Sequence, residues 1–168
     1  MRIEALLPEL LDRVQVVHQA GPSSANPDVA RLVALRETWS QTHQNRYHVV
    51  EFVGSELADI YAMADLVIAR SGAGTVSELA NAGLPSILIP LLGTWGDEQT
   101  KNGAVLTKAG GSIVIAQPDA TPERLRSEIV GLLDDQTRRT AMGIAARSIA
   151  QPDAAARIVD ELFKLARS

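Results

Sequence analysis

The 168-residue sequence contains no cysteine, few aromatic side chains and no long apolar run. Without cysteine the chain has no disulfides and no cysteine-ligated metals, and the cytoplasm is the expected compartment. No apolar stretch approaches the ~18 residues that a membrane-spanning helix needs. Aromatic residues make up 4% of the chain and hydrophobic residues 46%, so we expect a folded core of aliphatic side chains and alanine.

Positive charge is also scarce, since 16 Lys and Arg face 20 Asp and Glu and the net charge is −4. Nucleic-acid binding depends on clustered Lys and Arg, so we do not expect a nucleic-acid partner. No His, Asp and Glu residues have the spacing of a metal site, and no metal cofactor is expected. No Ser-His-Asp arrangement or pair of carboxylates is placed for acid–base chemistry, so no catalytic residue is assigned.

Short apolar segments alternate with helical patterns along the whole chain, which is typical of an α/β protein. Strands are expected at 14–18, 47–53, 66–69, 87–89 and 112–115. Each strand is apolar throughout and a helix separates it from the next. We therefore predict a Rossmann-like parallel sheet with helices on both faces, in a single domain of residues 1–168. Ligands bind beyond the carboxyl ends of such strands, so the loops after all five are expected to share one rim.

Helical spacing and capping residues predict the helices between and after these strands. We expect them at 3–11, 26–42, 56–64, 75–82 and 97–109, and then from Thr121, at 138–149 and at 153–166. Gly83 is expected to cap the fourth of them at its carboxyl end, because glycine adopts the left-handed conformation that ends many helices. Thr121-Pro122-Glu123 is a typical helix start.

The stretch from Ala64 to Pro90 reads ADLVIARSGAGTVSELANAGLPSILIP and places a Gly-rich turn between a strand and a helix. The unpaired N–H groups at a helix N-terminus attract anions, and small residues let a phosphate approach the backbone. The candidate anion site comprises Arg70, Ser71, Gly72, Ala73, Gly74 and Thr75. The same pattern also fits a tight strand-to-helix turn without a ligand, in which Arg70 braces the turn.

Glu78 follows in the first turn of that helix. Its carboxylate could accept hydrogen bonds from both hydroxyls of a ribose whose phosphates rest on the helix start. An alternative is purely structural, because Thr75-Val76-Ser77-Glu78 matches a capping box in which Glu78 returns to the Thr75 N–H.

The long loop after Ile89 leads to Gln99 and Asn102, which lie one turn apart on a new helix. Side-chain amides of this kind can bind sugar hydroxyls. The alternative is a helix capped by Asp97 with solvated charges around it. On the same predicted rim, His18-Gln19 ends a strand, where it either lines a site or closes a loop.

Agreement over many separated segments identifies a family that these residues resemble. The matching segments are His18-Gln19-x-Gly21, Phe52-Val53, Ala64-Asp65, Arg70-Ser71-Gly72-Ala73, Thr75-x-Ser77-Glu78, Ala82-Gly83-Leu84-Pro85, Asp97-x-Gln99-Thr100-x-Asn102, Ala109-Gly110 and Pro152-Asp153-Ala154. Together they closely resemble the C-terminal nucleotide-sugar domain of the MurG-type glycosyltransferases of family 28. Those enzymes add N-acetylglucosamine to a lipid-linked muramyl-pentapeptide in peptidoglycan synthesis, and they have a two-domain fold of the GT-B type.

The resemblance implies a role for each matching position. The backbone at Phe52 and Val53 would hold uracil, and the turn from Gly72 to Thr75 would hold the diphosphate. Glu78 would bind the ribose hydroxyls, and Gln99 with Asn102 would read the N-acetylglucosamine hydroxyls. The reaction implied is inverting, with UDP-N-acetylglucosamine as substrate and no metal or other cofactor.

The resemblance also implies parts that this sequence lacks. Family members carry a first strand and a Gly-Gly-Ser-x-Gly loop before the first helix, whereas Met1 stands after that point. We therefore expect the first strand and the acceptor domain to be absent, and the chain to be inactive alone. The expected partner is a separate acceptor-domain chain, or a second copy joined through the exposed sheet edge. The membrane would be reached only indirectly, at its inner face, through the acceptor half.

The alternative function is a noncatalytic module that binds UDP or a UDP-sugar, or a remnant with an assembly role.

Overall fold

The computed structural model describes residues 3–22 and 27–166. Contacts between residues group the chain into two compact units, Met1–Ala62 and Met63–Ser168. In the described residues no helix is both long enough and apolar enough to cross a membrane.

The first unit is built around two parallel strands. Helix α1 covers Leu7–Leu11, strand β1 Val16–Gln19, helix α2 Asp28–Glu37, helix α3 Gln41–Arg46 and strand β2 Tyr47–Val50. β1 and β2 pair in parallel, with Val16 opposite Tyr47 and Gln19 opposite Val50. Leu7, Leu11 and Tyr47 are fully buried and form the core, against which Val16, Trp39 and Val49 pack. The parallel pairing predicted for these two segments is confirmed.

The helix predicted over 26–42 is two helices. α2 ends at Glu37, and α3 begins after Ser40, whose extended backbone lets its hydroxyl accept a hydrogen bond from the His43 N–H. This serine cap interrupts the helical pattern that the sequence otherwise continues. The predicted start at Asn26 lies outside the described residues.

The second unit holds a three-stranded parallel sheet in the order β3-β4-β5. After helix α4 (Leu57–Met63) the elements are β3 (Val67–Ala69), α5 (Ala73–Ala82), β4 (Ser86–Leu88), α6 (Glu98–Ala109) and β5 (Ser112–Val114). Ile68, Ile87 and Ile113 lie side by side across the sheet. The α/β class and the parallel strands are as predicted, and within each sheet the carboxyl ends of the strands share one edge.

Three helices complete the second unit, α7 (Pro122–Asp134), α8 (Gln136–Arg147) and α9 (Ala154–Leu165). The predicted start of α7 is confirmed, since the Thr121 hydroxyl accepts a hydrogen bond from the Arg124 N–H. The predicted cap at Gly83 is also confirmed, with φ of 68° in the left-handed region. Every described residue of α9 is exposed, including its apolar side chains.

α8 approaches the rest of the second unit so closely that glycine is required at the contacts. A Cβ atom at Gly143 would lie 2.6 Å from the Gly83 carbonyl oxygen, and one at Gly111 would lie 2.8 Å from the Ala146 Cα. Both neighbours are backbone atoms, so no side chain can rotate away to make room. The position of α8 therefore depends on these two glycines.

We expect Gly143→Ala to lower the free energy of unfolding by about 1–3 kcal/mol, because the added methyl group overlaps the Gly83 carbonyl and forces the helices apart. The matched control is Gly131→Ala in α7, where a Cβ would meet nothing within 4 Å. That helical substitution should stabilise the protein by roughly 0.5–1 kcal/mol, the ordinary helix preference of alanine. Urea unfolding of both variants makes the comparison, and equal effects would show that the close contact has no energetic consequence.

Candidate functional site

In the first unit, the segments that follow β1 and β2 run side by side beyond the strands. The Ala20 N–H donates to the Val50 carbonyl at 2.9 Å, and the Gly21 N–H donates to the Glu51 carbonyl at 3.0 Å. Further along, the Val53 N–H donates to the side-chain Oε1 of Gln19 at 2.9 Å. The predicted base-binding segment is thus anchored to the end of β1, as expected for ligand loops at the carboxyl edge of a parallel sheet.

Phe52 and Val53 differ in what they offer a ligand. Phe52 is 74% exposed, so its ring offers a large apolar surface. The Val53 N–H is already bonded to Gln19, so the backbone donor there is in use. Phe52 therefore presents an aromatic surface, whereas the neighbouring Val53 N–H is already engaged in a hydrogen bond with Gln19.

His18 is held at the end of β1 by the buried Tyr47. Its Nδ1 lies 2.7 Å from the Tyr47 hydroxyl, and the two share a hydrogen bond. Burial raises the pKa of Tyr47 to about 12, so the phenol stays protonated at neutral pH. Burial also lowers the pKa of His18, which is therefore neutral at pH 7. Glu4, Asp28 and Arg31 are the other charged groups that act on the His18 pKa.

In the second unit, the Gly-rich turn after β3 starts α5 earlier than the capping-box pattern indicates. Gly72 is the N-cap residue, with an extended backbone at φ −61° and ψ 151°, and its carbonyl accepts the Val76 N–H. Thr75 is therefore inside the helix and does not cap it, so the predicted start at Thr75 is wrong. The N–H groups of Ala73, Gly74 and Thr75 are the first three of the helix, which have no partner within it.

The two glycines of this turn are not required by backbone conformation or by packing. Neither has a left-handed φ, and a Cβ at Gly72 or Gly74 would come no closer than 4.0 Å to Thr75 Oγ1 or 3.9 Å to Glu78 Oε1. Their effect is to leave the backbone at the start of α5 uncovered. Glu78 lies on the exposed face of the same helix, one turn beyond Gly74.

Ser71 and Arg70 connect this turn to its neighbours. The Ser71 side chain is fully buried, and its hydroxyl donates to the Gln99 carbonyl at 2.7 Å. Arg70 donates from Nη1 to the carbonyls of Ile89 and Pro90 at 3.0 and 3.3 Å, and to Gln117 Oε1 at 2.8 Å. These contacts agree with the structural alternative, in which Arg70 braces the turn. A contact between Arg70 and a phosphate remains a prediction.

Gln99 and Asp97 shape the loop between β4 and α6. Gln99 Oε1 accepts the Leu91 N–H at 2.9 Å. The Nε2 of the same amide is therefore the side-chain group of Gln99 that can donate to a ligand. Asp97 has φ of 55°, a left-handed conformation that is uncommon for a residue other than glycine. It occupies the N-cap position of α6, but its carboxylate accepts the Thr100 hydroxyl at 2.8 Å and no backbone N–H.

Asn102 lies in a cleft of about 220 Å³ between α5 and α6. Ala73, the first residue of α5, lines the same cleft, so the structure brings these two predicted site residues together. The other lining residues are Val76, Ser77, Ala80, Val105, Ile149 and Gln151. Gln151 and the Arg70 partner Gln117 were not found from the sequence, because no local pattern distinguishes them from ordinary polar residues, and Ser77 was part of a matching segment without a role of its own. Within 3–22 and 27–166, no group of three His, Asp or Glu residues could hold a metal ion.

Comparison with known proteins gives one consistent result. The glycosyltransferase family 28 C-terminal domain matches residues 2–158. Two relatives share the name UDP-N-acetylglucosamine--N-acetylmuramyl-(pentapeptide) pyrophosphoryl-undecaprenol N-acetylglucosamine transferase. The one from Rhodopseudomonas palustris strain BisA53 is 42% identical over 98% of this chain and 41% of its own length. The one from Marinobacter nauticus is 40% identical over 96% of this chain and 42% of its own length.

Solved structures agree with the sequence comparison. The crystal structure of Acinetobacter baumannii MurG superimposes with a TM-score of 0.78 at 32% identity, over 96% of this chain and 45% of that one. The glycosyltransferase VinC, solved with dTDP, has a TM-score of 0.65 at 19% identity over 92% of this chain and 35% of that one, a similarity of fold alone. The chain thus spans less than half the length of the relatives that it matches.

We expect the stability of the protein to fall as the pH drops below the ordinary histidine value of 6.5, because the unfolded chain then binds a proton that folded His18 binds more weakly. Urea unfolding from about pH 7.5 to about pH 5.5, above the range in which most carboxylates titrate, measures this loss. His18→Asn should remove much of the pH dependence, whereas His48→Asn on β2 should retain it. An unchanged slope in His18→Asn would contradict the assignment to His18.

Proposed function

The chain belongs to the glycosyltransferase family 28 C-terminal domain family, and from this membership we propose that it is the donor-binding domain of an inverting N-acetylglucosaminyltransferase. The family predicted from the sequence is confirmed, and so is the fold of the C-terminal half of a two-domain glycosyltransferase. We propose UDP-N-acetylglucosamine as the donor. The acceptor proposed is a lipid-linked muramyl-pentapeptide, as the names of the relatives indicate.

The observation that carries the proposal is the open start of α5 beside the cleft that contains Asn102. The first N–H groups of α5 lie at the carboxyl edge of the β3-β4-β5 sheet, and the glycines leave them uncovered. Such groups stabilise a diphosphate without help from a metal ion. We place the diphosphate of the donor on Gly72 to Thr75, and no metal or other cofactor is proposed.

The sugar and the ribose are assigned to polar side chains near this helix start. Asn102 shares its cleft with Ala73, so a sugar attached to the diphosphate would lie within reach of its amide. The Gln99 Nε2 is a second donor for sugar hydroxyls. Glu78 lies on the exposed face of α5, one turn beyond Gly74, and we propose its carboxylate as the acceptor for the ribose hydroxyls.

In the proposed reaction, bonds form and break between the acceptor, the sugar and UDP, and no residue of this chain is bonded covalently to any of them. The acceptor hydroxyl attacks C1 of the sugar, the bond from C1 to the UDP oxygen breaks with inversion, and negative charge develops on the departing diphosphate. The N–H groups of α5 would stabilise that charge. No residue of this chain is proposed as the base that removes the proton from the acceptor hydroxyl. We propose that the base, the acceptor site and the contact with the membrane belong to an acceptor domain, with the reaction on the cytoplasmic side.

Calorimetric titration of the purified chain with UDP-N-acetylglucosamine, UDP and UDP-glucose tests the donor site. We expect the N-acetylglucosamine donor to bind most tightly, and Glu78→Ala to weaken all three by roughly 10- to 100-fold, since it removes a charged hydrogen-bond acceptor. Glu123→Ala, an exposed glutamate in the first turn of α7, is the matched control and should bind like the parent chain.

Two outcomes of this titration would count against the proposal. Equal affinity in Glu78→Ala and the parent would remove the ribose assignment. No binding of any ligand at about millimolar concentration would contradict a donor site in this chain. Donor binding without transfer, after an acceptor domain is supplied, would favour the noncatalytic UDP-sugar module.

A further inference from the structure

The loop that joins β4 to α6 presents large apolar side chains to water. Within its residues 91–97, Leu91 is 42% exposed, Leu92 is 52% exposed and Trp95 is 93% exposed. An indole ring in water gains almost none of the free energy that burial of an aromatic side chain supplies. The exposure of Trp95 therefore needs an explanation other than the stability of this chain.

The loop is attached to α6 and also contains two points about which it can turn. The Leu91 N–H donates to Gln99 Oε1 at 2.9 Å, and Lys101 Nζ donates to the Gly96 carbonyl at 2.7 Å. Gly93 and Gly96 have φ of 78° and 62°, and a Cβ at either position would meet nothing within 4 Å. Glycine changes φ at little steric cost, so the two residues between these glycines can move while Leu91 stays attached.

Two further features make the observed arrangement of the loop costly. Thr94 Oγ1 is buried and has no hydrogen-bond partner among the described residues, and a buried hydroxyl without a partner is destabilising. Asp97 occupies the N-cap position of α6 with φ of 55°, whereas N-cap residues are ordinarily extended. An unpaired hydroxyl and a strained backbone, three residues apart, indicate that the loop has a second arrangement in which these costs are relieved.

The loop lies beside the candidate donor site. It follows β4, at the carboxyl edge of the sheet where α5 begins, and it leads directly into α6. Gln99 and Asn102, the side chains proposed to bind the sugar, lie in the first two turns of that helix. A pyranose ring has one face of C–H groups, and such a face packs well against an aromatic ring. Trp95 is thus the large apolar group of this loop that is suited to cover a sugar.

We propose that residues 91–97 are a lid, and that Trp95 closes over the sugar when UDP-N-acetylglucosamine binds. In the closed state the indole packs on the pyranose, the Thr94 hydroxyl gains a hydrogen-bond partner, and Asp97 leaves the left-handed conformation. The lid excludes water from the sugar, as closing loops do in other enzymes. The inference rests on the proposed function, because it takes the sugar to lie beside Gln99 and Asn102.

The sugar is the part of the ligand that drives this closure. A ligand shifts a protein between two arrangements only if it binds one of them more tightly. The sugar meets Trp95 only in the closed state, whereas UDP has no group that replaces it. We therefore expect the lid to close with UDP-N-acetylglucosamine and to stay open with UDP.

Fluorine NMR of the chain labelled with 5-fluorotryptophan tests the closure directly. The chain contains two tryptophans, and Trp39 packs against Tyr47 with ring centroids 5.3 Å apart, so it serves as the internal reference. Trp95→Phe assigns the two signals. UDP-N-acetylglucosamine should move the Trp95 signal and reduce its difference between H₂O and D₂O, which measures exposure. UDP should leave that signal in place, and the Trp39 signal should not respond to either ligand.

Calorimetric titration of variants tests the contact with the sugar. Trp95→Ala should weaken UDP-N-acetylglucosamine binding by roughly 5- to 10-fold, the scale of one aromatic contact, and leave UDP binding unchanged. Met63→Ala removes another large apolar side chain, 75% exposed at the end of α4, and is the control. It should bind both ligands like the parent chain.

The two buried hydroxyls that lack a partner provide a second matched comparison. Thr94→Val keeps the shape of the side chain, so it should raise the urea midpoint of the free chain and weaken UDP-N-acetylglucosamine binding by roughly 5-fold. Ser86 on β4 is fully buried and its Oγ is also without a partner in the described residues. Ser86→Ala should raise the midpoint in the same way and leave both affinities unchanged.

Three results would overturn the lid while leaving a donor site in place. A Trp95 signal that stays fixed at saturating UDP-N-acetylglucosamine would show that the loop does not close. An equal loss of UDP and UDP-N-acetylglucosamine affinity in Trp95→Ala would show that Trp95 maintains the site without covering the sugar. Parent-like affinities in Thr94→Val would show that its hydroxyl gains no partner. If the parent chain binds neither ligand, the proposed function fails, and the lid fails with it.

Discussion

The hydrogen bond from the Ser71 hydroxyl to the Gln99 carbonyl is the contact on which the candidate donor site depends. It joins the turn that precedes α5 to the first turn of α6, and it is made by a fully buried side chain. Gly103 allows this approach, because a Cβ there would lie 3.3 Å from the Ser71 Cβ and 3.2 Å from Val114. A buried hydroxyl without a partner would be costly, so the bond keeps the two helix starts together.

The other polar contacts of the second unit extend this connection to the loop after β4. Gln99 holds the Leu91 N–H through its side chain, and Arg70 holds the carbonyls of Ile89 and Pro90. Arg70 and Gln99 belong to the matching family segments, as do the residues that we propose to contact the donor. In the structure they serve mainly to position the backbone, whereas the α5 N–H groups and Asn102 lie where a ligand could bind. The family motifs thus contain residues that position the backbone and residues proposed to bind the ligand, and the spacing of residues in the sequence does not distinguish the two.

Local signals allowed much of the fold to be predicted from the sequence. Apolar runs marked the five predicted strands, Gly83 marked a helix end through its left-handed backbone, and Thr121 marked a helix start through a cap that spans only three residues. The start of α5 was misplaced because the capping-box pattern at Thr75 fits equally well, whereas the extended backbone of Gly72 decides the true start. The pairing of Gln19 with Val53 could not be predicted, since it joins residues that are 34 positions apart and only the parallel pairing of β1 and β2 brings them together.

The close contact of α8 with the turn after α5 also limits how related sequences can vary. The atom that excludes a side chain at position 143 is the carbonyl oxygen of Gly83, which every amino acid carries. No substitution at position 83 can therefore compensate for a larger residue at position 143, and Gly83 is itself restricted by its positive φ. Where relatives keep this packing, the two positions should be invariant independently rather than covary. Their contact would then be invisible to methods that infer proximity from correlated substitutions.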